Sequence, residues 1–260
     1  MSILDSLSPK ERQDRFRRIC DAAMRERREQ GTSGIGTLAE KWQHIILKRY
    51  ISEDVTEHEI PIEGTRFVSD VRIGNEAFEV QTGAFAPMKK KIAHYLENTD
   101  LSVTVVHPIP KNRRVSWIDP RTLEISRPVL SPRHGRAEDL LGELYCLIPY
   151  LQNPRLRFLV LLIDAQDFRL LNPRSKNPKK GGERFERIPT SLIEERLYAS
   201  PDDYRAFLPA SLVSPFTVKE FSRATGIRGR DAYSAVRVLA ALGLLRPAPP
   251  IGRSMAFEKV

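Results

Sequence analysis

The stretch FVSDVRIGNEAFEVQTG, residues 67–83, holds the residues best suited to chemistry. Side chains alternate along a strand, so Glu79 and Gln81 point to one face and Val80 to the other. A hairpin turning at Gly74-Asn75 brings Asp70 alongside Glu79. Two carboxylates and an amide then converge on one sheet face, flanked by Val68, Val71, Ile73, Phe78 and Val80. Strand carboxylates are unfavourable unless solvated, paired or bound to a cation. Hard oxygen ligands suit Mg2+ or Mn2+ rather than zinc. Such a cation polarises a phosphodiester and lowers the pKa of an attacking water. The competing reading is two edge-strand acids facing solvent.

The elements that must position these residues follow from the hydrophobic period. Residues 9–30 read as a helix, with Ser8 as N-cap, Pro9 at its first position and Glu11 completing a capping box. GTSGIG (31–36) breaks it, and a second helix is expected from Leu38 to Tyr50. Strands are expected at Val55–Ile62, Arg66–Ile73 and Ala77–Gln81, separated by Gly64 and Gly74-Asn75, as an antiparallel meander. A basic helix (Pro87 to Asn98) and a β-branched strand (Ser102 to His107) complete an α-β-β-β-α-β order, an α/β or α+β layered core. Beyond the Pro/Arg-rich stretch 120–136, a helix is expected at Ala137–Tyr150 and a buried strand at Phe158–Ile163. NPRSKNPKKGGER (172–184) reads as a loop or flexible segment. Asp164 and Asp167 mark the end of the buried strand, with a metal site as the lesser alternative.

With Asp70, then Glu79, on successive strands of that order, the chain resembles the PD-(D/E)XK nuclease superfamily over residues Thr37 to His107. The resemblance implies a restriction-endonuclease-like core with Asp70, Glu79 and the Val80 carbonyl holding Mg2+ or Mn2+. Gln81 stands where most members have lysine. It resembles the Glu-x-Gln versions of some restriction enzymes and CoiA-type competence nucleases, and implies an amide that orients the water. Alternatively, Lys89, Lys90 or Lys91 on the next helix places an ammonium near the site; the same lysines also read as a solvated face or a phosphate-binding helix start. The superfamily often draws a further acid from a helix before the sheet, which is Glu40 here. Glu40 also fits as the N3 residue of a Thr37–Glu40 capping box. His44, a turn further on, reads as a surface or packing histidine.

The C-terminal segment from Pro215 resembles a winged helix-turn-helix. Thr217 caps a helix to Thr225 with Val218, Phe221 and Ala224 inward, and Gly226 ends it. A longer helix spans Arg230 to Leu242 with Ala232, Val236, Leu239 and Ala240 inward. Leu244-Leu245 and Ala256-Phe257 pair across the turn Pro249–Ser254 as the wing. Arg228, Arg230, Tyr233, Ser234 and Arg237 suit groove edges and phosphates, and Arg253 sits at the wing tip. From Pro215 to Val260 there are eight Lys/Arg against three acids.

The whole chain has 260 residues and a formal net charge of +9, which favours a polyanionic partner. No apolar run is long enough to span a membrane, and the start lacks a signal peptide, so a cytoplasmic protein is expected. Two cysteines, Cys20 and Cys146, give no disulfide framework or zinc site and read as buried thiols. The expected organisation is an N-terminal helix (1–35), the nuclease-like core (36–130), a middle α/β region (131–211) and the winged helix (212–260). The expected function is Mg2+- or Mn2+-dependent hydrolysis of DNA, duplex or branched, with no membrane partner and a homodimer left open. The alternatives are a non-catalytic DNA-binding regulator with a degenerate nuclease domain, and an assembly module using the winged helix.

Overall fold

The computed structural model describes residues 7–29, 42–179 and 181–260 and has a mixed α/β fold. Its larger sheet has the order β1 (His58–Pro61), β2 (Val68–Ile73), β3 (Glu76–Val80), β4 (Ser102–Ile118), β6 (Leu156–Leu170), β7 (Arg184–Tyr198), and β5 (Val129–Leu130) pairs with β4. The smaller has the order β8 (Phe216–Thr217), β10 (Ser254–Lys259), β9 (Leu245–Ile251). The helices are α1 (Pro9–Glu29), α2 (Trp42–Ile51), α3 (Lys89–Asn98), α4 (Leu140–Leu144), α5 (Val218–Thr225) and α6 (Arg230–Ala241). The chain divides into two compact units, one of residues 1–73, 108–136 and 161–195, the other of residues 74–107, 137–160 and 196–260. No helix among the described residues is long and apolar enough to cross a membrane.

In the first unit, α1 starts with the expected box: Ser8 N–H donates to Glu11 Oε2 at 2.7 Å, and Glu11 N–H to Ser8 Oγ at 3.4 Å. Phe16, Ile19, Cys20 and Ala23 recur at helical spacing and are buried. Burial pushes the Cys20 thiol up to about 12, so it stays protonated; Cys146 is only half-buried. Phe16 meets Tyr50 of α2 edge-on at 5.0 Å. The Tyr50 hydroxyl donates to Glu195 on β7 at 2.7 Å, and Arg12 reaches the other Glu195 oxygen at 3.2 Å. Burial holds the Glu195 carboxyl above the usual carboxylate range despite both partners.

β1 and β2 pair antiparallel, with His58 opposite Val71 and Ile60 opposite Ser69. The first strand starts later than its β-rich sequence predicts. Val55–Glu57 form a 3-10 turn because Asp54 accepts from both the amide (2.9 Å) and hydroxyl (2.7 Å) of Thr56. β6 likewise runs seven residues past Ile163, so Asp164 and Asp167 lie inside the strand rather than at its end. Each has a neighbour that makes it tolerable there. Asp164 accepts from Asn112 (2.8 Å) and Ser191 (3.0 Å), and Asp167 accepts from Arg187 Nε (2.6 Å) and Nη2 (2.8 Å).

In the second unit, β3 pairs with β4 in parallel, Glu76 opposite Ser102 through Val80 opposite Val106. Parallel neighbours need a crossover, which α3 provides. Val103, Val105 and Val106 are buried, as expected of a strand covered on both faces. The expected helix 137–150 is broken: only Leu140–Leu144 is α-helical and Tyr145–Tyr150 is 3-10, with Pro149 unable to continue the i→i−4 ladder.

The C-terminal segment closely follows its helical pattern. Thr217 and Glu220 form a reciprocal capping box, and Gly226, at φ 74°, closes α5 in the left-handed region. Phe221 and Val218 are buried, but Ala224 faces solvent. The strand register also differs from expectation, since Phe257 lies opposite Pro247 and Lys259 opposite Leu245. The turn is therefore Gly252-Arg253 rather than 249–254. β9 is an edge strand, where Pro247, Pro249 and Pro250 cost few ladder bonds.

Candidate active site

Glu79 is 4% exposed, as deeply buried as its neighbour Val80. Its strand position is three after Glu76, so the two acids take opposite faces. Glu76 Oε1 accepts from Thr104 Oγ1 (2.8 Å) and Arg157 Nη2 (2.5 Å). Glu79 is served by α3 instead: Tyr95 Oη donates to Oε1 at 2.5 Å, and the Lys91 ammonium pairs with Oε2. Lys91 and Tyr95 are four residues apart, one turn along the same helix face, which is why both reach one carboxylate. Ile92 and Leu96 beside them are buried and seat the helix.

The C-terminal end of α3 is fixed by a guanidinium. Arg155 donates from Nη2 to the Leu96 carbonyl and from Nη1 to the Thr99 and Leu101 carbonyls. A cation on these carbonyls also complements the helix dipole. Thus the last turn cannot fray easily, and the Lys91–Tyr95 face keeps its place over β3.

Gln81 closes the segment after β3. Its Nε2 donates to the Ala84 carbonyl at 2.5 Å, its amide N–H to Val106, and its carbonyl accepts from His107 Nδ1 at 2.6 Å. Phe85 then inserts between Phe158, stacked at 6.0 Å, and His107, edge-on at 5.0 Å, while its N–H donates to Glu143 Oε2. Burial lowers the His107 pKa; the Gln81 carbonyl and, more weakly, Glu143 and Asp139 oppose that shift. With a folded pKa below the roughly 6.5 of an unfolded histidine, the His107 contribution to stability is complete above that pH. It is lost as pH falls through the folded value. Thermal melts from about pH 7.5 down to about pH 5 are expected to lose less stability in His107→Asn than in the parent. Equal losses would remove His107 as the sensitive group.

Asp70 belongs to the first unit, where His44 Nε2 of α2 lies 3.3 Å from its Oδ2. His44, expected as a surface or packing histidine, is therefore a partner of a candidate acid. Glu40 lies outside the described residues. Lys89 and Lys90 are exposed, whereas Lys91 is half-buried against Glu79. That helix start is thus not three equivalent cations facing an anion. Arg228, Arg230, Tyr233, Arg237 and Arg253 are exposed, and Ser234 is half-buried. Arg237 Nη1 also donates to the Tyr145 hydroxyl at 3.1 Å, and Gln152 Nε2 to the Ala241 carbonyl at 2.6 Å, so α6 is tied at two points.

Among the described residues no three His, Cys, Asp or Glu side chains gather as a metal cluster. A Mg2+ ion needs only one or two carboxylates, the rest of its shell being water, backbone oxygen and substrate phosphate. Glu79 fits that requirement. Tyr95 and Lys91 each hold one of its two carboxylate oxygens.

The fold and site together define a mixed α/β protein whose buried strand carboxylate is paired with a lysine and a tyrosine from the crossover helix. The chain belongs to the family described as Domain of unknown function (DUF8091), whose model matches residues 41–199, more than half of its length. The match spans every strand of the larger sheet and ends ahead of the smaller one. No curated protein and no solved structure matches the chain.

Proposed function

We propose that the chain is a metal-dependent deoxyribonuclease of PD-(D/E)XK type, with Glu79 and Lys91 at its centre and a C-terminal winged helix that holds DNA. The observation that carries this reading is the Glu79–Lys91 pair between β3 and the crossover helix α3 that leads to the parallel β4. The ammonium absent from position 81 comes from the helix instead. A Glu79-bound Mg2+ or Mn2+ would polarise the scissile phosphate and acidify a water. Lys91 then holds negative charge on the phosphate or orients that water, and Tyr95 fixes the Glu79 carboxylate. The Val80 carbonyl remains a ligand in this reading, while Gln81 braces the turn behind Glu79; the part of first acid that the superfamily resemblance implies for Asp70 is tested by its own exchange. Exchange of Glu79 for Gln is expected to abolish Mn2+-dependent DNA cleavage with unchanged far-UV and near-UV circular dichroism. Retained cleavage in that variant would refute the assignment.

The holding role is supported by the element order β8-α5-α6-β9-β10 and by Arg230 and Arg237, seven residues apart on the exposed side of α6. Tyr145 uses one of the five Arg237 donors and orients the rest. Duplex binding by Arg230→Ala/Arg237→Ala is expected to weaken, with the salt slope falling by about one unit per lost phosphate contact. Cleavage of saturating short substrates should persist. Binding equal to the parent at every salt concentration would make this segment an assembly module.

A further inference from the structure

The first unit contains a second concentration of cations that the proposed site does not use. It lies where the distal half of β4 and strands β6 and β7 carry Arg113, Arg169 and Arg187 around one buried carboxylate, Asp167. Both Asp167 oxygens are taken by Arg187, at 2.6 and 2.8 Å. Arg113 Nη1 is 3.9 Å from Asp167 Oδ2, within reach of its charge but beyond a hydrogen bond. Arg169 lies over the Trp117 ring with its Cζ 5.9 Å from the centroid. The Nε–H groups of Arg113 and Arg169 are buried with no hydrogen-bond partner among the described residues. Exposed Arg133 and Arg184 add to the same field.

The balance of charge is uneven. Burial and then Arg187 depress the Arg113 pKa, with Arg169 and Arg133 acting the same way, and Asp167 is the one acid that resists. Arg184 is depressed by burial and by Arg187, Arg169 and Arg113, again with Asp167 opposing. A guanidinium cluster of this kind gains from a polyanion that supplies the missing oxygens, and planar forks match phosphate geometry.

The loop between β6 and β7 extends the charge. Its turns are set by bonds from Leu171 N–H to Ile118 and from Asn172 N–H to Pro178, both 2.9 Å. Gly182 lies against Trp117 so closely that a Cβ would stand 2.5 Å from the ring, so this approach requires glycine. The loop carries exposed Arg174, Lys176 and Lys179, and its Gly182 abuts the Trp117 ring that Arg169 covers.

We infer that this arm of the first unit, centred on Arg113 and Arg169, is a sequence-independent binding surface for the phosphate backbone of a nucleic acid. The inference rests on the reading of the chain as acting on nucleic acid, and adds a further group of residues that holds it, besides Glu79 and α6. The test is fluorescence anisotropy of the full chain with a fluorescein-labelled mixed-sequence oligonucleotide, single-stranded and duplex, across a salt series. Arg113→Gln/Arg169→Gln is expected to weaken binding at least about tenfold and to flatten the salt slope by about 0.7–0.9 units per lost contact. Arg133→Glu/Arg184→Glu, at solvent-exposed positions, must weaken binding too. A parent-like affinity and slope in both variants overturns the inference, while Glu79-dependent cleavage would still stand. Loss of binding in both variants by a parent that cleaves nothing supports the surface and rejects the nuclease reading.

Discussion

Replacement of Lys91 by alanine is expected to reduce DNA cleavage by about 10²–10³-fold while leaving Mn2+ binding intact or tighter. The ammonium pairs with Glu79 Oε2, so its removal withdraws one competitor for that oxygen. It also removes a positive charge beside the carboxylate, which competes with a divalent ion. Glu79→Gln behaves differently: it loses metal and cleavage together, because a neutral amide is a poor ligand beside the Tyr95 hydroxyl. Isothermal calorimetry with Mn2+, run beside the cleavage assay, separates the two. If Lys91→Ala lost Mn2+ binding and stability in equal measure, Lys91 would be a structural counterion to Glu79. Parent-like cleavage in Lys91→Ala would place the functional cation elsewhere.

The second large effect is on stability. Asp167 is fully buried and receives two hydrogen bonds from the 8% exposed Arg187. Breaking a buried pair strands the surviving charge, at a typical cost of about 3–5 kcal/mol. For Arg187→Leu, which leaves Asp167 without its two hydrogen bonds and with Arg113 3.9 Å away, the Tm is expected to fall by roughly 6–20 °C. The double variant Asp167→Leu/Arg187→Leu should recover much of that loss, since apolar replacement of a whole pair is often neutral. Differential scanning calorimetry of the three proteins checks this. A Tm unchanged in Arg187→Leu would show that Asp167 is neutral or solvated.

Much of the candidate site is legible from local pattern. Alternation puts Glu79 opposite Val80 in direction, and the apolar run through Ser102–His107 marks the parallel partner that requires a crossover helix. Lys91 and Tyr95 could have been singled out by their i, i+4 spacing on that helix. The superfamily resemblance points to Gln81 as the water-orienting amide, whereas that amide donates to the Ala84 carbonyl. Helix α3 supplies a cation because its face is set by Ile92, Tyr95 and Leu96 packing.

The long strands were harder to read because their tolerance of unfavourable residues is tertiary. β4 continues through Pro108 and Pro110, which would end most strands. Its pairing with β3 stops at Val106, so those prolines forfeit no bond on that side, and the Pro110 carbonyl still accepts from Gly135. β7 carries Arg187, Glu195 and Pro189 and has no clean alternation. Its charges are compatible with a strand only because Asp167, Tyr50 and Arg12 lie ready to receive them. None of those partners is close in sequence.

The most direct measurement is a cleavage assay of the full chain on duplex, single-stranded and branched DNA, with Mg2+, Mn2+ or a chelator, beside Glu79→Gln and Asp70→Ala. The account predicts metal-dependent products from at least one substrate with the parent, none with the chelator and none with either variant. Intact DNA under every metal condition, or products that persist undiminished in Glu79→Gln, would contradict it.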